Sequence, residues 1–270
     1  MRNKLYALIF SCLILSCQSA RLEKILIPRT INANEDFNSY VENKEHALAV
    51  VKYADESAQN TSKDVKETFA IKLGDTLLRI QPDQKDKNFF IDKFASADFV
   101  NTQKTAVLVE AADNSGLVGP IYLITLKNNK AEVVSLYRAS TGANDSQFTK
   151  GIIRVGSSGY LVNNDFFVTN VNAKVYVIPR QQPQERIQGS FFLKSPDKTT
   201  FVFLVRGAFY QVNYPTGDVY TEPLPKTAPK DAVNVYKWVQ ENYAWVKNAK
   251  GTSFFKQIDQ NKVIDMRQSY

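Results

Sequence analysis

The chain has 270 residues, 44% of them hydrophobic and 12% aromatic, with 34 basic against 27 acidic side chains. That much apolar material buries the core of one or two domains, which excludes a mainly disordered chain. The formal charge of +7 is spread without a long basic run, so it serves solubility, and no nucleic-acid partner is expected. Both cysteines, Cys12 and Cys17, stand near the N-terminus, so the rest of the chain can form no disulfide and no thiolate zinc site.

Arg2 and Lys4 make a basic start, and Leu5 to Leu15 an apolar stretch that is too short for a membrane span of about 20 residues. The stretch closes on Ile14-Leu15-Ser16-Cys17. These residues resemble the signal of bacterial lipoproteins, in which aliphatic and small residues precede a cysteine that is acylated and becomes residue one. The resemblance implies that residues 1–16 are a signal peptide and that Cys17 is the lipid attachment site, carrying acyl chains such as palmitate. The bilayer is then a partner. Gln18 in place of Asp after the cysteine implies sorting to the outer membrane, with the body of the protein in the periplasm. Loss of Arg2 and Lys4 leaves 32 basic against 27 acidic residues. Two or three acyl chains hold a protein durably, whereas one gives marginal binding.

Residues 17–45 read as a tether containing a short helix, capped by Asn34, with Glu35 and Asp36 in its first turn and Phe37, Tyr40 and Val41 on one face. From residue 46 to 270 the pattern changes to short β-rich runs. Five hairpins stand out, beginning near residues 77, 121, 166, 209 and 254, a period of 43 to 45 residues. Asn128-Asn129, Asn172-Ala173 and Pro215-Thr216-Gly217 supply turns. Two further candidate strands precede each hairpin, which makes about five four-stranded units. That period is the signature of a β-propeller, and an all-β, propeller-like repeat over 46–270 is the expected fold. An irregular β-sandwich, or two β domains, is the alternative. Ala232, Val235, Tyr236, Val239 and Tyr243 also fit helical spacing, so the first element of the last unit reads as strand or helix.

The inventory disfavours most catalytic chemistry. His46 is the one histidine and stands beside Lys44 and Glu45 before the repeats, so a serine triad would have to use it as base. Ser195-Pro196-Asp197-Lys198 has the Ser-x-x-Lys spacing of penicillin-binding enzymes, but its companion motifs are missing and Pro-Asp reads as a turn. Gly151 to Gly156 has phosphate-loop spacing, yet Ser157-Ser158 follow where Lys and a hydroxyl residue are required. Asp113 to Gly116 and Asn144 to Ser146 lack the alternating ligands of a calcium loop. No cofactor or metal is expected.

The long connections carry the functional signal. Residues 112–120, 138–150, 180–188 and 223–230 would gather on one face of a stacked repeat, and such loops on a rigid scaffold concentrate binding. Arg138, Lys150, Arg180, Arg186, Lys226 and Lys230 are the candidate binding residues there, with Asp145, Glu185 and Asp231 among them. The expectation is a non-enzymatic binding or scaffold lipoprotein that engages another envelope protein. The alternatives are an inhibitor or immunity lipoprotein against an envelope-targeting toxin, and an envelope glycan or peptide hydrolase using loop carboxylates.

Overall fold

The computed structural model describes residues 22–39, 47–53, 67–113, 117–140, 150–229 and 232–258. Cys17, His46, Asp145, Lys230 and Asp231 lie outside these residues, as does Val263-Ile264, which the sequence reads as the strand closing the hairpin that begins near residue 254. In chain order the elements are β1 (Glu23–Leu26), β2 (Arg29–Thr30), β3 (Glu35–Asp36), β4 (Leu48–Tyr53), β5 (Thr68–Leu73), β6 (Thr76–Ile80), β7 (Phe94–Phe99), β8 (Ala106–Ala111), β9 (Ile121–Lys127) and β10 (Lys130–Ser135). They continue with β11 (Ile152–Val155), β12 (Gly159–Val162), β13 (Phe166–Thr169), β14 (Lys174–Val177), β15 (Ser190–Lys194), β16 (Thr200–Val205), β17 (Ala208–Asn213), β18 (Val219–Pro223), α1 (Ala232–Asn242), β19 (Tyr243–Lys247) and β20 (Ser253–Gln257). Among the described residues the fold is all-β with one short helix, and no described helix is long and apolar enough to cross a membrane.

Turn chemistry sets the hairpin registers. Asn128 and Asn129 both adopt left-handed backbone, φ 52° and 60°, in a two-residue loop that pairs Lys127 with Lys130. That is the geometry whose twist matches the flanking strands, and asparagine tolerates it better than most residues.

The sheets stack in chain order. A nine-stranded sheet, β1-β6-β5-β7-β8-β9-β10-β2 with β4 also on β5, curls into a half-barrel around Leu78, Phe94, Val107, Ile124 and Val133. The other face of its β8–β10 part sends Leu108, Leu123 and Val134 against Val162, Phe166 and Val168 of the five-stranded sheet β11-β12-β13-β14-β3. That sheet in turn packs Leu161 and Phe167 on Phe201 and Phe203 of the four-stranded sheet β15 to β18. The far face of this last sheet, with Val202 and Phe209, meets Val235 and Val239 of α1 and Tyr243 and Phe255 of the β19–β20 hairpin. Successive residues of a central strand therefore enter different cores. This is why Ile121 to Leu126 and Phe201 to Val205 are continuous apolar runs without the alternation of a half-exposed strand.

Several sequence expectations need correction. Five equal units are not formed: the first two share one sheet, and the last contributes a helix and two described strands. The apolar stripe at 232–243 resolves as helix, because Val235 and Val239 one turn apart both reach the same core. Phe89 to Ile91, an apolar run that the sequence reads as the second strand of the hairpin beginning near residue 77, makes only an isolated bridge, Ile80 to Ile91. Loop geometry explains this, since Lys85 N and Asn88 N donate to the carboxylates of Asp83 and Asp86, and Gln81 Nε2 donates to the carbonyls of the same two aspartates.

The short helix expected to start at Asn34 is also absent from residues 34–39; Tyr40 and Val41 lie outside the described residues. Glu35 and Asp36 instead form β3 and pair with Val175 and Lys174, while Asn34 Oδ1 accepts a bond of 2.9 Å from Val177 N. The capping residue thus serves a neighbouring sheet. Residues 22–36 form a strap: β1 runs parallel to β6, β2 parallel to β10, and β3 antiparallel to β14. Each strap strand covers an outer edge that would otherwise offer unpaired backbone groups.

Candidate binding site at the long-connection end

The site is built on the turn Asn163-Asn164-Asp165 between β12 and β13, three polar side chains that are all buried. Asn163 Oδ1 accepts from Lys150 N and Gly151 N at 3.1 and 3.0 Å, and its Nδ2 donates to Leu136 O at 3.5 Å. Asn164 Nδ2 donates to Ile187 O at 2.9 Å and Gly189 O at 2.8 Å. The turn thereby fastens three connecting segments, each of which would otherwise leave backbone groups unsatisfied.

Asp165 anchors a buried arginine cluster. Arg180 donates from Nε and Nη2 to Asp165 Oδ1 at 3.2 and 2.6 Å, with both side chains withdrawn from solvent. Its remaining donors reach the carbonyls of Ala139, Pro183 and Arg138 at 3.1, 3.4 and 3.4 Å. Arg186 Nη1 lies 3.8 Å from Asp165 Oδ2, and Arg138 Nη1 donates to Ile178 O at 2.7 Å. Burial pushes the Asp165 carboxyl above its ordinary value, against the pull of Arg180, Arg186 and Arg138. Burial likewise lowers the Arg138 guanidinium, helped by repulsion from Arg180 and opposed by Asp165. Beside the cluster, Tyr210 donates its hydroxyl to Glu185 and accepts from Gln181 N at 2.7 Å. Burial, then the Glu185 bond, holds that phenol far above its usual range.

A cavity of about 410 Å³ opens on the other side of the 136–140 segment, walled mainly by Leu117, Val118, Pro120, Ile121, Leu136 and Tyr137. Asp113, Ser135 and Asn163 supply its polar groups, so the same asparagine that fixes the turn also faces the cavity. Gly119 forms part of the wall, where a Cβ would stand 2.1 Å from Ala111 O. Any larger residue would displace the wall. Leu117 and Tyr137 leave their side chains largely exposed at the cavity. An apolar concavity with a few fixed polar groups is what a ligand site requires.

Of the sequence candidates, the structure brings Arg138, Arg180 and Arg186 together and places the Lys150 backbone on Asn163, with the Lys150 side chain exposed. Lys226 is exposed in the link after β18, in a turn closed by Ala228 N to Pro225 O, apart from the arginine cluster. Sequence reasoning missed Asp165, Asn163 and the apolar walls. Their signal was present but faint: three polar residues between Val162 and Phe166 look like a surface turn. Among the described residues, no group of three or more His, Cys, Asp or Glu side chains could hold a metal ion. No family model matches the chain, and comparisons with curated proteins and with solved structures return no match.

Proposed function

We propose that this protein is a lipid-anchored, non-enzymatic binding module of the bacterial envelope, held to the periplasmic face of the outer membrane through Cys17. It presents the cavity beside Tyr137 to another envelope protein. The carrying observation is the apolar cavity set on a rigid frame, with the neighbouring Arg180 donors directed to Asp165 and to backbone carbonyls. Arg180, with its donors committed in this way, supports the cavity wall through the carbonyls of Arg138 and Ala139, and the contact falls to Leu117, Tyr137 and the Lys150 side chain. For the architecture, face-to-face stacking of the sheets beside a curled half-barrel supports the irregular β-sandwich reading.

Two measurements test the function. Metabolic palmitate labelling is expected on the wild-type protein and lost in Cys17→Ser. Photo-crosslinking from position 137 in cells is expected to give one discrete protein adduct, lost on Gly119→Leu, with none from position 171. Absence of an adduct at 137 would remove the binding reading, whatever the labelling shows.

A further inference from the structure

We propose that the outer face of β1 and the adjoining 88–90 loop form a membrane-seating surface, which dips Ile25, Ile27 and Phe89 into the lipid interface. This rests on Cys17 being the lipid attachment site. Ile25 is 50% exposed, Ile27 51% and Phe89 53%, large apolar side chains that a soluble surface has no reason to group. Strand alternation sets Ile25 and Ile27 on the side of β1 opposite the buried Leu26. Ile25 pairs with Arg79, whose guanidinium lies 4.9 Å above the Phe90 ring, and Phe89 precedes that ring in the chain.

The charges in this patch nearly balance, three basic against four acidic. Arg79 bonds Glu23 at 2.8 Å and lies 3.7 Å from Asp92, while Lys85 and Lys87 alternate with Asp83 and Asp86. A patch of this kind partitions by its apolar side chains and depends little on anionic headgroups.

The tether identifies the occupant. Five residue steps separate Cys17 from Leu22, which span at most roughly 18 Å when fully extended. An acylated Cys17 sits at the lipid interface, so Leu22, the residue before β1, is confined within that distance of it. At such a distance the patch faces lipid at high effective concentration, and even weak insertion is sustained. Seating would also fix which way the binding cavity points.

The test uses the full-length lipoprotein, purified with its acyl chains and reconstituted into phosphatidylcholine vesicles. A genetically encoded, environment-sensitive fluorophore replaces Ile27, or, as a reference, the 81% exposed Val171. The expected result is a blue-shifted emission at position 27, quenched by nitroxide-labelled acyl chains and unchanged in high salt, with neither effect at 171. Ile25→Asp in the position-27 protein should abolish both effects. Emission at 27 as water-like as at 171, with Cys17 acylation confirmed by mass spectrometry, overturns the proposal. If mass spectrometry finds no acylation, the anchor reading fails on its own. Seating is then judged by coupling the free Cys17 thiol to maleimide-headgroup vesicles, where the same emission contrast supports it and its absence overturns it.

Discussion

The interface between the five-stranded and four-stranded sheets and the interface between the four-stranded sheet and the C-terminal hairpin hold similar elements by different means. The first is built from Phe167, Phe201, Phe203 and Leu161, with Phe167 edge-on to Phe201 at 4.9 Å between ring centroids. The second adds a polar ladder to its aromatic contacts. Gln211 donates to Phe255 O and accepts from Phe255 N, both at 2.6 Å, so one side-chain amide replaces a strand partner. Thr200 Oγ1 donates to Ser253 O at 2.8 Å, Ser253 Oγ to Asp197 at 2.7 Å, and Thr252 Oγ1 to Asp218 at 3.0 Å. Apolar burial depends little on the angle between the partners, whereas hydrogen bonds are lost sharply with misalignment. The inner sheets should therefore unfold together and the hairpin should leave by itself. Both tryptophans, Trp238 and Trp245, pack in the terminal cluster, so intrinsic fluorescence reports on that region alone.

The contrast can be broken from its strong side first. Phe203→Ala should cost about 3–5 kcal/mol and lower the denaturant midpoint seen by circular dichroism and fluorescence alike. Arg180→Met strands Asp165 in the interior and should cost a similar, roughly 3–5 kcal/mol. Replacing Asp165 by Leu in the same protein should recover only part of that loss, because the buried Arg186, 3.8 Å from Asp165 Oδ2, then loses this carboxylate.

On the weak side, Gln211→Leu leaves the Phe255 N–H and carbonyl unpaired and should cost about 1–3 kcal/mol. Here the tryptophan transition should separate from the dichroism transition, and a single shared transition would refute the division into two regions. Acid should produce the same separation. Burial raises the Asp197 carboxyl, but bonds from Ser195, Ser253 and Thr199 together outweigh it and hold it well below the usual range. Asp218 is also lowered, chiefly by its Thr252 bond. Both groups are more acidic folded than unfolded, so their stabilisation is complete above about pH 4 and is lost as pH falls through the folded values. Tryptophan emission should shift to the red below that pH while the inner sheets persist. Smallest of all, Lys250→Ala removes an exposed partner of Asp218 at 3.5 Å and should change stability by less than about 1 kcal/mol.

Most strands were legible because each hairpin carries its own local code. Apolar runs such as Ile121 to Leu126 are bounded by residues that accept left-handed backbone, and Asn128-Asn129 sets a register without help from distant parts of the chain. The strap was not legible. Glu23 to Leu26, Arg29-Thr30 and Glu35-Asp36 are too short to show a period, and their hydrogen-bond partners lie roughly fifty to well over a hundred residues away. The arginines of the candidate site were found through their loops. Asp165 was passed over, since a buried carboxylate and a solvated one look alike in a polar turn.

By itself, then, the sequence determined the all-β class, the positions of most hairpins and the absence of thiol chemistry beyond Cys17, because these follow from local backbone preference and residue inventory. Tertiary structure decided which face of each doubly apolar strand meets which neighbour, that residues 232–242 coil, that the strap covers three edges, and that three arginines converge on Asp165. Those outcomes depend on burial and on hydrogen bonds between residues far apart in the chain, and no local window contains both partners.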